Sequence, residues 1–142
     1  MAKIERSITI NAPVEKVFTY VADPMNLVDW VPSMTEIHDV TGSGVGQHYR
    51  WTYKMAGMRL KGESTVTEHI PNERRATQSK GGVTSTWIYN FEPHNGGTKM
   101  KLDIEYTIPI PVLGKLAEKL LLRRNEREAN LAMANIKDKF EG

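Results

Sequence analysis

The feature that most constrains this chain is a series of turn signals between Pro32 and Pro109: Gly42-Ser43-Gly44, Ala56-Gly57, Pro71-Asn72, Gly81-Gly82 and Asn95-Gly96-Gly97. Glycine and asparagine tolerate the positive φ of tight reversals and proline presets a turn dihedral, so each cluster marks a change of direction. Between them the residues alternate with period two, the pattern of a strand with one covered face. Six strands fit. Tyr49, Trp51, Tyr53 and Met55 share a face, as do Met58, Leu60 and Val66, then Trp87, Tyr89 and Phe91, then Met100, Leu102, Ile104 and Tyr106. The alternate positions are largely charged, among them Arg59, Lys61, Lys99, Lys101, Asp103 and Glu105. Such a sheet is wet on one side and must be covered on the other.

A seventh strand opens the chain, where Ile4, Ile8 and Ile10 alternate with Glu5, Ser7 and Thr9. Asn11-Ala12-Pro13 then supplies a cap and a proline for the first turn of a short helix carrying Val14, Val17, Phe18 and Val21. Asp23-Pro24 stops it, and Met25 to Trp30 form a second brief helix that Pro32 ends. The cover is the last element. After Pro109 and Pro111, Val112 to Phe140 reads as one long helix with Gly114 its only glycine. One apolar stripe is Leu113, Leu116, Ala117 and Leu120; a second, rotated around the axis, is Leu121 or Leu122, Ala129, Met133, Ile136 and Phe140. The rotation implies a bend or a change of packing partner near Leu121. Asn125 and Ala129 stand in the second stripe where a filled core wants bulk, which predicts space beneath the helix. Tight packing against the aromatics opposite is the open alternative.

At 142 residues, 39% apolar and 25% charged, the chain is expected to be one soluble domain able to bury a full core. A net charge of +2 is too weak an excess to point to nucleic acid. With no cysteine there is no disulfide framework or thiol chemistry. The start Met-Ala-Lys-Ile-Glu-Arg lacks the apolar stretch of a signal peptide and the longest leucine run is Leu120 to Leu122, so a cytoplasmic location is expected.

Several segments resemble the START-like superfamily, the helix-grip or birch-pollen-allergen fold, in its polyketide cyclase/dehydrase and lipid-transport branch. They are Ile8 to Phe18, Asp23 and Trp30, Val45-Gly46, Val66-Thr67-Glu68 with Pro71, Phe91-Glu92-Pro93 and Gly97-Thr98. The resemblance spans the chain. It implies an α+β fold, a curved seven-stranded antiparallel sheet wrapped around a long C-terminal helix with two short helices after strand one. It also implies a cavity for lipids, quinones or polyketide-like molecules, and transfers no catalytic residue.

The motifs favour binding over chemistry. His38, His48, His69 and His94 lack paired metal-ligand spacing, and His48 shares its face with Arg50 and Lys54. The glycines at 42, 44 and 46 precede a strand rather than a helix, so they form a turn and not a phosphate loop. Ser33, Ser64 and Ser85 lack the setting of a hydrolase nucleophile. Arg74-Arg75 and Arg123-Arg124 are interleaved with acids and read as solvated faces. Arg6 shares parity with the isoleucines, either meeting a carboxylate such as Glu36 or a ligand anion, or lying at a wet strand edge, the simpler account.

The expected site is a cavity of several hundred Å³ without metal or cofactor. Its walls are Trp51, Tyr53, Trp87, Tyr89, Met100 and Tyr106 from the sheet and Leu121, Asn125 and Ala129 from the helix. Two further classes stay open. One is a cyclase or dehydratase using Tyr53, Tyr89 or Tyr106 as donor; the other is a membrane- or protein-docking module using Leu113, Leu116 and Leu120.

Overall fold

The computed structural model describes residues 2–55, 57–107 and 115–142, with side chains of the last helix from Lys119 onward. Strand β1 (Ala2–Ile10) leads into helix α1 (Val14–Ala22), a 3-10 turn (Pro24–Asn26) and helix α2 (Leu27–Trp30). Six strands follow: β2 (Met34–Thr41), β3 (His48–Met55), β4 (Met58–Ile70), β5 (Arg74–Gly81), β6 (Ser85–His94) and β7 (Gly97–Tyr106). Helix α3 (Lys115–Glu141) completes the order expected from the sequence. The positions 112–114 assigned to that helix lie outside the described residues.

All seven strands form one antiparallel sheet in the order β1-β7-β6-β5-β4-β3-β2. Consecutive strands from β2 to β7 are neighbours, as short hairpin turns require, and β1 closes onto β7. Asn72 and Asn95 take positive φ (66° and 49°) at two reversals, which asparagine tolerates. Between Val66 and Glu68 the register of β4 on β5 shifts by one residue. A bulge of this kind bends the strand and reverses which residues face inward beyond it.

Pro13 occupies the N-cap of α1, one residue ahead of the helix, and Asn11 is not its cap. Instead the Asn11 backbone N–H donates to Glu141 at 3.0 Å, and the Lys137 ammonium donates to the Thr9 carbonyl at 2.6 Å. These bonds tie the C-terminal turn of α3 to the end of β1. Asp23 caps the C-terminus of α1, and its carboxylate accepts from the Met25 N–H at 3.0 Å to start the 3-10 turn.

Of the second stripe of α3, Leu121, Asn125, Ala129, Met133 and Ile136 lie inside, with Ala132 buried beside them, while Leu122 and Phe140 are half-buried against the core. The helix runs unbroken past Leu121. Of the first stripe, Leu120 is 56% exposed, while Leu113 and the side chains of Leu116 and Ala117 lie outside the described residues. No described helix is long and apolar enough to cross a membrane.

Candidate functional site

The inner face of the sheet is best followed across the strands. Tyr49 lies opposite Ser64, Ser64 opposite Ser79, Ser79 opposite Ser85, and Ser85 opposite Tyr106. Three adjacent strands thus present serine at one level, with a tyrosine at either end. The next level carries Val66, Thr77, Trp87 and Ile104. Small hydroxyl side chains cannot reach α3, so the space above them stays open.

That space is a cavity of about 80 Å³, large enough for several waters. Trp51, Tyr53, Trp87, Tyr89 and Tyr106 line it as expected, and Asn125 projects from α3. Met34, Met55, Leu27 and Val83 complete much of the apolar wall. The volume falls below the several hundred Å³ expected from ligand sites in general, so anything larger than a small molecule must widen it. Met100 and Ala129, 0% and 5% exposed, belong to the packed core rather than the described lining. Leu121 is buried on α3 but also stands outside that lining. The opening comes mainly from the serine level, not from Ala129.

Several polar atoms of the cavity are paired with one another. Trp51 Nε1 donates to Ser64 Oγ at 2.9 Å, and the Ser64 and Ser79 hydroxyls share a hydrogen bond of 2.5 Å. Asn125 Nδ2 donates to the Tyr106 hydroxyl at 2.9 Å. Burial pushes Tyr49, Tyr53, Tyr89 and Tyr106 above the ordinary phenol range, keeping all four protonated at neutral pH. No described lining residue is a carboxylate, histidine, lysine or arginine.

One rim is fastened by Arg124, which the sequence alone places on a solvated face. Its guanidinium donates to Ser33 Oγ at 2.7 Å, to the Lys54 carbonyl at 2.9 Å and to Asn125 Oδ1 at 3.0 Å, and it lies 5.9 Å from the centre of the Tyr53 ring. Glu128 accepts from the Ser33 N–H at 2.6 Å, adding a second tie from α3 to the same turn.

Arg75 departs furthest from expectation. Arg74 lies as predicted, paired with Glu68 at 2.6 Å, but Arg75 is only 4% exposed. The bulge in β4 brings His69 opposite Arg75, and Tyr89 lies opposite it on the other side. Arg75 donates to Gln47 Oε1 at 2.6 Å and meets His69 Nδ1 at 3.1 Å. Burial, with Arg75 nearby, holds His69 below the usual imidazole range, so the ring is neutral and accepts that bond.

The remaining candidates are peripheral. Arg6 is covered by α3, donating to Asn130 Oδ1 at 2.6 Å with Glu126 at 3.9 Å, so it is neither a free strand edge nor a partner of Glu36. His48 pairs with Glu63 at 3.4 Å on the outer face, and His38 is exposed. Among the described residues no three His, Asp or Glu side chains gather as metal ligands.

With this geometry in place, residues 1–141 match the family described as polyketide cyclase / dehydrase and lipid transport, and the chain belongs to it. No curated protein matches the sequence. Among solved structures, a protein from Thermus thermophilus superposes with a TM-score of 0.85 at 20% identity, covering 98% of this chain and 97% of that one. The Zhui aromatase/cyclase from a Streptomyces species gives 0.76 at 16% identity, covering 99% and 93%. A Chromobacterium violaceum protein gives 0.73 at 16%, covering 100% and 99%. These likenesses establish the helix-grip fold.

Proposed function

We propose that this member of the polyketide cyclase/dehydrase and lipid-transport family binds or carries a hydrophobic small molecule between its sheet and α3. The observation that carries the reading is a cavity walled by aromatic and thioether side chains with no charged group in its described lining, in which Trp51, Ser64 and Ser79, and Tyr106 and Asn125, are bonded to one another. Such a wall favours transfer of apolar surface out of water, while the tyrosine hydroxyls and Asn125 orient a single polar group. Entry by a larger molecule would widen the cavity at the Arg124 rim, where hydrogen bonds from Arg124 and Glu128 tie the helix to the turn at Ser33.

Native mass spectrometry with solvent extraction tests this directly. A copurifying apolar compound that is displaced by Asn125→Leu or Tyr89→Phe supports it; a protein that is empty and refuses quinones, fatty acids and aromatic polyketides overturns it. A cyclase or dehydratase reading draws on the likeness to an aromatase/cyclase and on four tyrosines held as proton donors. It lacks a proton acceptor among the described lining residues. Turnover lost in a tyrosine-to-phenylalanine variant with binding intact would promote it.

A further inference from the structure

Arg75 is a buried cation with neutral partners. Among the described residues no carboxylate lies within ion-pair distance of it; Asp23 influences it only through its field. Its direct bonds go to an amide oxygen and a neutral imidazole, Gln47 and His69. A guanidinium taken out of water without a counter-charge costs several kcal/mol, so an anion brought beside it recovers energy that a neutral group cannot.

The register shows where such an anion fits. Arg75 lies on the same face of β5 as Thr77 and Ser79, both of which line the cavity, and one level further along. Directly opposite it is Tyr89, and Gln47 stands two residues before Tyr49 on β3; both tyrosines are cavity walls. The charge of Arg75 is felt at both phenols. Burial keeps Tyr49 and Tyr89 protonated, with a cation behind them, in a cavity whose remaining lining is uncharged.

Resting on the binding function proposed above, we propose that the ligand is an apolar acid: its hydrocarbon body fills the cavity and its anionic oxygen, a carboxylate in the simplest case, accepts from Tyr49 and Tyr89 in front of Arg75. An oxygen carrying full charge gains from the guanidinium behind the phenols, whereas an ester or alcohol gains little. Arg75 acts through the tyrosines and is a positioning residue.

The test compares acids with their own methyl esters, naphthalene carboxylic acid and palmitic acid each against its ester, by calorimetric titration at neutral pH. The expected result is that the acid binds about tenfold or more tightly than the ester, the size of one charge-assisted hydrogen bond. In Arg75→Gln, which keeps a side chain able to bond Gln47 and His69, the acid loses that advantage while ester affinity stays within about threefold. Tyr49→Phe should cost the acid more than the ester, which keeps the question answerable if Arg75→Gln fails to fold. Equal binding of acid and ester to the unaltered protein overturns the acid proposal and leaves the cavity as a site for neutral molecules; discrimination that survives in Arg75→Gln overturns the role given to Arg75. Failure of both acid and ester to bind overturns the binding function itself.

Discussion

The two ends of the space beneath α3 rest on the same sheet and the same helix, yet one is filled and the other open. At the filled end Phe18 meets Phe91 edge-on with ring centres 5.1 Å apart, and Met100 and Ile136 are fully buried beside Met133 and Ile10. At the open end the helix offers Asn125, and the strands offer Ser64, Ser79 and Ser85. Topology is common to both, so side-chain volume at each level decides where a cavity forms. The filled end carries the stability, and the open end is freed to vary.

Mutations that treat the two ends alike should therefore diverge. Ile136→Ala at the filled end should cost about 2–5 kcal/mol in equilibrium denaturation, because the site is fully buried and cannot collapse. A loss under about 1 kcal/mol would erase the distinction. Gly62→Ala should cost about 1–3 kcal/mol by overpacking and also reduce ligand binding. An added Cβ there overlaps the Trp51 ring and the Lys80 carbonyl, so the indole must swing toward the cavity. Unchanged fluorescence and binding would show that the sheet yields instead.

At the open end, Ser85→Val should change stability by less than about 1 kcal/mol while narrowing the cavity, since the added methyls enter free space. Titration with an apolar probe would then show weakened binding on an intact fold. The smallest effect concerns pH. His69 has its folded pKa depressed chiefly by burial and secondly by Arg75, so the unfolded chain takes up the proton first. Its contribution to stability is full above the ordinary imidazole value of about 6.5 and is lost as pH falls toward the folded pKa. Denaturation midpoints should decline modestly over that range, and His69→Gln should flatten the decline.

Much of the architecture is legible in the sequence because each hairpin carries its own turn residues and each strand its own alternation. Asn125 and the aromatic walls follow from parity alone. The serine level does not, since Ser64, Ser79 and Ser85 lie on three different strands and align only through the registers of β4, β5 and β6. Read singly, Ser64 and Ser85 are only nucleophiles without partners. Arg75 is hidden because β5 carries no apolar alternation: its inward positions hold Arg75, Thr77 and Ser79, and only the register with Tyr89, Trp87 and Ser85 on β6 shows which way they face. Arg124 looks like one of a solvated pair because its acceptors, Ser33 Oγ and the Lys54 carbonyl, lie on other elements.

The hydrogen bonds within the serine level have a consequence for exchange. Because Trp51 donates to Ser64 and Ser64 is bonded to Ser79 within the wall itself, neither of these two hydrogen bonds has to break or form when a guest enters or leaves. On the binding function proposed above, loading and unloading would leave that wall intact, so residence time would be governed by the fit of the guest and by release at the rim rather than by repair of the container.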